Sequence, residues 1–215
     1  GLDYAYRDAL LNLSVSSSKE PDYQADGFGI DAAQEVFGGM TTINLGFSRG
    51  KDQVGKKGDF GFFDYAKHWR YRVGATQILS PRWLASLNVE AVSDEGFLGS
   101  PYRAARVFGA AVPERNPRTR SSRSMKLGTV AEVMPRVAIQ GSYRYFYDTW
   151  DIKAHTIEGG ASRYVGESFL IDAYLRYYKQ NHALFYSDNA LSETTYISRN
   201  RQLSTFNSIA AGAKV

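Results

Sequence analysis

The chain has 215 residues, of which 14% are aromatic (15 Tyr, 12 Phe, 3 Trp), together with 20 Gly and 6 Pro. That is enough for one large all-β domain, in a mixture suited to pleated strands and tight turns. It contains no Cys, which excludes a disulfide scaffold, a thiolate zinc site and a cysteine nucleophile, and its net charge of +4 (26 basic, 22 acidic residues) is spread too evenly to argue for nucleic acid.

No stretch approaches the roughly 18 consecutive apolar residues of a membrane helix, whereas membrane strands hide their apolar face in alternation. In chain order, turn chemistry and period-two alternation predict strands over 4–18, 24–36 and 40–50, with reversals near Pro21-Asp22-Tyr23 and at Phe37-Gly38-Gly39. In the third, Ile43, Leu45 and Phe47 alternate with Asn44, Gly46 and Ser48. A polar connection from Lys51 to Asp64 leads to strands 66–80 and 83–96, joined at Ser80-Pro81-Arg82. The second of these is the cleanest: Trp83, Ala85, Leu87, Val89 and Ala91 hold one parity, and Ser86, Asn88 and Glu90 the other. A helix would mix the two sets around its circumference, and a strand separates them.

A long connection, Gly99 to Pro117, precedes strands 118–133 and 137–151, which meet at Met134-Pro135-Arg136. Strands 155–165 and 168–182 follow, joined at Gly166-Glu167-Ser168, and a loop from Asn181 to Thr195 leads to a last strand over 197–214. Short and long connections thus alternate, as in a transmembrane barrel with tight turns on one rim and long loops on the other. The expected fold class is all-β, an antiparallel up-and-down transmembrane β-barrel of about ten strands forming a single domain over 1–215. The chain starts at Gly1-Leu2-Asp3 without an initiator Met or a leader-like segment, and ends at Lys214-Val215 without a terminal aromatic. Strands are therefore expected beyond one or both ends, in a larger barrel.

A soluble β-sandwich or barrel also alternates, so strand length and aromatic placement carry the choice. Several strands run to about 12–16 residues, ample for a tilted membrane crossing. Trp83, Phe169 and Phe37 lie at the short turns, and Tyr143, Tyr145, Tyr147, Trp150, Tyr177, Phe185 and Tyr186 at the far ends, predicting two interfacial aromatic belts. The opposite parity predicts a polar lumen lined by Arg70, Arg72, Asn88, Glu90, Lys126, Glu132, Gln140, Arg144, Asp172 and Arg176. Arg72 with Glu90, and Arg144 with Glu132 or Asp172, are the expected pairs; they either fill the interior or line a selective pore.

Three groups of motifs carry a family resemblance. The first is Asp22-Tyr23-Gln24-Ala25-Asp26, Val36-Phe37-Gly38-Gly39-Met40-Thr41-Thr42 and the stretch from Leu45 to Gly55. The second is Leu79-Ser80-Pro81-Arg82-Trp83 with Gly96-Phe97-Leu98-Gly99-Ser100-Pro101-Tyr102-Arg103, and the third runs from Pro113 to Arg120. From about residue 8 to its end the chain resembles a bacterial outer-membrane family known only as a domain of unknown function. The resemblance implies an outer-membrane β-barrel of Gram-negative bacteria, in longer proteins with further strands, and supplies no activity or catalytic residue.

Three sets of side chains are candidates for chemistry. His68 near Asp64, His155 near Asp151, and His182 near Ser187 and Asp188 are local groupings expected to be rim histidines without a catalytic role. The loop cluster Arg115, Arg118, Arg120 and Arg123 is spaced to clamp an acidic partner or lipopolysaccharide phosphates, or to fold into the barrel mouth. Asp22, Asp26, Asp52, Asp59 and Asp64 lack a calcium-loop spacing. The expected function is a non-catalytic pore, conduit or envelope scaffold in the bacterial outer membrane. Its expected partners are outer-membrane lipids, lipopolysaccharide and envelope proteins, with no cofactor, metal or nucleic acid. An outer-rim enzyme acting on lipid or peptide, and a soluble ligand-binding barrel, are the alternatives.

Overall fold

A computed structural model describes the chain at residues 1–166 and 169–215; the expected Glu167-Ser168 corner lies outside the described residues, as does the side chain of Phe60. The strands are β1 (Leu2–Tyr6), β2 (Ala9–Lys19), β3 (Tyr23–Val36), β4 (Thr41–Lys56), β5 (Asp59–Ser80) and β6 (Trp83–Gly96). They continue with β7 (Ala104–Val107), β8 (Ala110–Pro113), β9 (Thr119–Met134), β10 (Val137–Asp148), β11 (Lys153–Val165), β12 (Phe169–Gln180) and β13 (Phe206–Lys214). Eleven of them pair antiparallel in the order β1 to β6 and then β9 to β13, with β7–β8 as a separate hairpin. Among the described residues β1 and β13 are the edges of this sheet. The architecture is an all-β, up-and-down antiparallel barrel wall.

The register carries the alternation of β6 across its neighbours. Leu87 lies opposite Ala75 of β5 and Leu127 of β9, and Asn88 opposite Gly74 and Lys126. One face is consequently aliphatic along its middle: Leu45, Val73, Leu127, Ile157 and Leu175 are each about half exposed, at 49–57%. Nothing in the described chain covers it. A soluble protein rarely leaves so continuous an apolar surface in water, and hydrocarbon is the solvent it suits. The other face is concave, since residues from nine consecutive sheet strands, β2 to β6 and β9 to β12, line one cavity of about 800 Å³.

The true hydrophobic core lies outside the sheet. Trp150, Ile152, Ala183 and Leu203 form one buried cluster, packed by Leu98, Phe146, Phe185 and Tyr186; Ala105, Val107 and Ile197 form a second with Val112 and Ala190. The connections 97–118 and 181–205 thereby fold into a joint cap, stitched by Ala190 N–H to the Arg106 carbonyl (2.9 Å) and by reciprocal bonds between Arg115 and Ile197 (2.9 and 2.8 Å).

Five sequence expectations change. Residues 4–18 are a hairpin, turned at Arg7 (φ 52°) and Asp8, where neither Gly nor Pro marks the corner. The connection 51–64 is mostly strand, because β4 and β5 extend to a tight corner at Lys57-Gly58 (Gly58 φ 84°). The loop 99–117 contains β7–β8, whose Phe108 and Gly109 both have positive φ (49° and 82°), the conformation of a type I′ turn. The last strand starts at Phe206 rather than 197, since Ile197 is drawn into the cap. Trp150, Phe185 and Tyr186 belong to the cap core and not to an interfacial belt, whereas Tyr143, Tyr145 and Tyr147 do share the outward parity of Ile139.

Gly96 shows how the cap is launched. At φ 110° it ends β6, its N–H bonding the Arg118 carbonyl (2.8 Å), and a Cβ there would strike the Tyr65 carbonyl oxygen. Gly96→Ala is expected to cost at least about 1–3 kcal/mol in backbone strain alone, read as a lower urea midpoint for the folded protein in detergent. An unchanged midpoint would show that this corner relaxes freely.

Candidate functional site: the charged concave wall

Period-two geometry puts Arg70, Arg72 (β5), Asn88, Glu90 (β6), Lys126 (β9), Arg144 (β10) and Arg176 (β12) around the 800 Å³ cavity. Asp31, Ser124, Ser142, Thr156 and Glu158 join them. Five cations face three carboxylates there. Asp31 accepts from Arg72 Nη2 (2.6 Å). Glu90 is shared by Arg70 Nε and Arg144 Nη2, both at 3.6 Å. Glu158 is shared by Lys126 Nζ (3.3 Å) and Arg176 Nε (3.4 Å), and also accepts from the Ser142 hydroxyl (3.2 Å).

Glycine makes this crossing possible. Between Asp31 and Arg72 lies Gly46, their common strand partner, and a Cβ on it would overlap Asp31 Oδ1 and Arg72 Nε. The arginine therefore lies flat across bare backbone, with its buried Nε unpartnered within the described chain. Gly74 under Asn88 and Gly160 under Gln140 repeat the device.

The expected pairs form differently. Arg72 and Glu90 are direct cross-strand partners, yet Arg72 reaches over Gly46 to Asp31. Arg144 pairs with Glu90, two strands away across Ser124 of β9, and not with Glu132 or Asp172. Those two lie lower on the same face: Glu132 is 3.8 Å from Arg82 at the short-turn rim, and Asp172 stands opposite Ser162 and Lys214. Gln140 shares the face opposite Val130 and Gly160.

Above the cavity, toward the cap, His68 bridges Asp94 (Nδ1, 2.7 Å) and Asp52 (Nε2, 3.0 Å), and the Tyr23 hydroxyl donates to Asp52 (2.6 Å). Sequence reasoning missed this network and missed Asp31 and Glu158. The inner face of β3 flanks Asp31 with Gly27, Gly29 and Ala33 and displays no polar stripe, whereas β11 carries Thr156, Glu158 and Ser162 on one parity, a signal interrupted by Gly160. The local histidine groupings that proximity in sequence suggested as alternatives to idle rim histidines do not form. Asp64 is held by Arg118; His155 points outward, bonded to the Tyr143 hydroxyl (2.7 Å); His182 meets Thr205 (3.1 Å). Among the five aspartates considered for calcium, Asp22 is bonded by Tyr102, Asp26 by Ser17 and Asp52 by Tyr23, on different faces and turns.

The basic loop cluster is dispersed by its own alternation. Arg118 makes a bidentate pair with Asp64 (2.8 and 2.7 Å). Arg120 donates to the fully buried Asp148 side chain (2.8 and 2.5 Å) and covers Trp150, 4.5 Å from its ring centre. Arg115 ties Glu193 (3.2 Å) and the Thr194 carbonyl (2.9 Å). Arg123 alone points outward, to the Tyr147 hydroxyl at 3.2 Å. Three of the four thus brace the cap, and no common clamp exists. In the cap, Asp188 bonding and burial push the Tyr186 hydroxyl above its ordinary pKa, burial being the larger cause.

Solved structures of the same fold share little sequence with the chain. An anion-selective porin from Comamonas acidovorans matches with a TM-score of 0.56 at 12% identity, over 95% of this chain and 57% of the porin. Outer-membrane expressed OmpT of Vibrio cholerae matches with a TM-score of 0.61 at 12% identity, over 98% of this chain and 62% of that one. CdiB from Acinetobacter baumannii matches with a TM-score of 0.50 at 13% identity, over 82% and 32% respectively. The chain therefore spans less than two thirds of the length of each. No curated protein matches it. A family profile matches residues 63–215, which include the motifs at 79–83, 96–103 and 113–120, while those before residue 63 lie outside the matched stretch. By that match over most of its length, and with the fold of outer-membrane β-barrels, the chain belongs to the family described as Protein of unknown function (DUF3570).

Proposed function

We propose that the chain forms wall of a non-catalytic outer-membrane pore that favours small anions, its cap side facing outward and further strands joining the edges β1 and β13. The observation that carries this is the excess of cations in the cavity, five against three. Two of the carboxylates are each shared between two basic groups, so the surplus is not neutralised by the wall itself. Lys126 and Arg144 are direct cross-strand partners, each with only a share of one carboxylate (Glu158 and Glu90), so two like charges stand side by side in the wall. A cleft lined by one surplus sign focuses its field and raises the local concentration of counter-ions. The Comamonas acidovorans structure of this fold is an anion-selective porin, which supports the reading without supplying any residue of it. His68 shares a cavity with Asp94 and with Ser14, Ser16 and Ser48, yet both its ring nitrogens are taken by Asp94 and Asp52 and neither bonds a serine, which favours a pore over an outer-rim enzyme.

The test is reversal potential in planar bilayers under a salt gradient, using the full-length protein. The wild type is expected to prefer chloride over potassium, and the double variant Lys126→Glu/Arg144→Glu to lose or invert that preference with its barrel intact. Cation preference in the wild type, or a sealed and silent barrel, would contradict the proposal.

A further inference from the structure

The outer face of β9 to β12 changes character just below the cap. Arg123, Tyr147 and Lys153 are consecutive cross-strand partners on β9, β10 and β11, and one row nearer the membrane centre run Tyr145, His155 and Lys179. All three cations are exposed and share the outward parity of Leu127, Ile139 and Leu175. Among the described residues no strand residue on this face of β9 to β13 is acidic; Asp151 in the β10–β11 corner lies 3.5 Å from Lys153. The opposite half of the sheet differs. There Lys51 and Lys67 stand in one row between Asp26 and Glu95, and the row is neutral.

We infer that the Arg123–Lys153–Lys179 patch binds the phosphate groups of an outer-leaflet phosphorylated glycolipid, the lipopolysaccharide class. Three arguments converge on that ligand. The patch sits where the aliphatic band ends, at the level of the interfacial tyrosines, so a bound molecule has acyl chains beside Leu127 and Leu175 and its headgroup beside the cations. Adjacent strands are about 4.8 Å apart, which sets Arg123 and Lys153 roughly 10 Å apart at the backbone and suits a headgroup bearing more than one phosphate. Arg123 is held by the Tyr147 hydroxyl at 3.2 Å rather than by a carboxylate, leaving guanidinium donors for an anion. Of the four arginines grouped by sequence, only this one serves the lipid.

The inference rests on the cap facing the outer leaflet, as in the preceding proposal, but not on ion selectivity. The experiment measures binding of bisphosphorylated lipid A, its dephosphorylated form and inorganic phosphate to the full-length protein in detergent. Wild type is expected to bind the bisphosphorylated lipid and scarcely the dephosphorylated one, and millimolar inorganic phosphate is expected not to displace it. Arg123→Gln/Lys153→Gln/Lys179→Gln should weaken binding on the order of a hundredfold, while Arg49→Gln/Lys51→Gln/Lys67→Gln on β4 and β5 leaves it within a few-fold. Equal loss in both triple variants, equal binding of the dephosphorylated lipid, or displacement by free phosphate would overturn it. Should the first triple variant fail to fold, wild-type salt dependence decides: binding must fall steeply with added salt, and salt-insensitive binding rejects the patch. Conductance measured on the same preparations separates a failure here from a failure of the pore.

Discussion

Leu87→Arg is expected to destabilise the folded protein in lipid by about 2–4 kcal/mol, and Asn88→Lys by far less. The two residues are adjacent on β6 and point to opposite faces. Leu87 lies mid-strand between Ala75 and Leu127, 41% exposed with nothing in the chain against it. An arginine there must place its guanidinium in hydrocarbon or drag water inward. At Asn88 the new charge enters the polar cavity, where Lys126 is the partner across β9 and Glu90 is on the same face. Refolding into phospholipid vesicles over a urea series reads both. Equal costs at the two positions would mean that both faces meet the same solvent.

Trp150→Ala is expected to remove about 3–5 kcal/mol from the cap while leaving the sheet assembled. The indole is 4% exposed, packs edge-on against Phe185 with ring centres 5.0 Å apart, and donates from Nε1 to the Thr119 carbonyl (3.0 Å). Its loss hollows the cluster with Ile152, Ala183 and Leu203 and uncovers the Arg120–Asp148 pair. Limited proteolysis should then cut within 181–205, with the heat-modifiable gel mobility of the barrel retained. If the sheet is lost with the cap, the two are one cooperative unit. The distinction matters because the cap is built on water-driven burial and the sheet on hydrogen bonding in lipid.

The barrel was legible where both faces of a strand contrast. Trp83 to Ala91 separates into two parities with Leu84 the one exception, and its partners on β5 and β9 repeat them, so strand, face and lumen follow together. Legibility failed where one face is bare. Gly27 and Gly29 on β3, and Gly160 on β11, have no side chain because a neighbour's lies over them, and an alternation between aliphatic and nothing reads weakly. Ion pairing was less legible still. Arg144 meets Glu90 across an intervening strand, and Arg72 meets Asp31 over Gly46; adjacency along the chain carries no information about either. Trp150 looked interfacial from its place at a strand end, and its burial depends on Leu203, far along the chain and in another loop. The arginines from 115 to 123 look like one cluster as text, and the strand's own pleat sends Arg120 inward and Arg123 outward.

Because the chain has no cysteine, single cysteines carrying a nitroxide at each position from 86 to 91 report solvent without background. In lipid vesicles, positions 87, 89 and 91 should be accessible to oxygen, which concentrates in hydrocarbon, and positions 86, 88 and 90 to a water-soluble nickel complex. A strict two-residue alternation in that phase is the expected record. The opposite phase, or uniform access to nickel along β6, would contradict a barrel wall that turns its aliphatic side to lipid and encloses its charges.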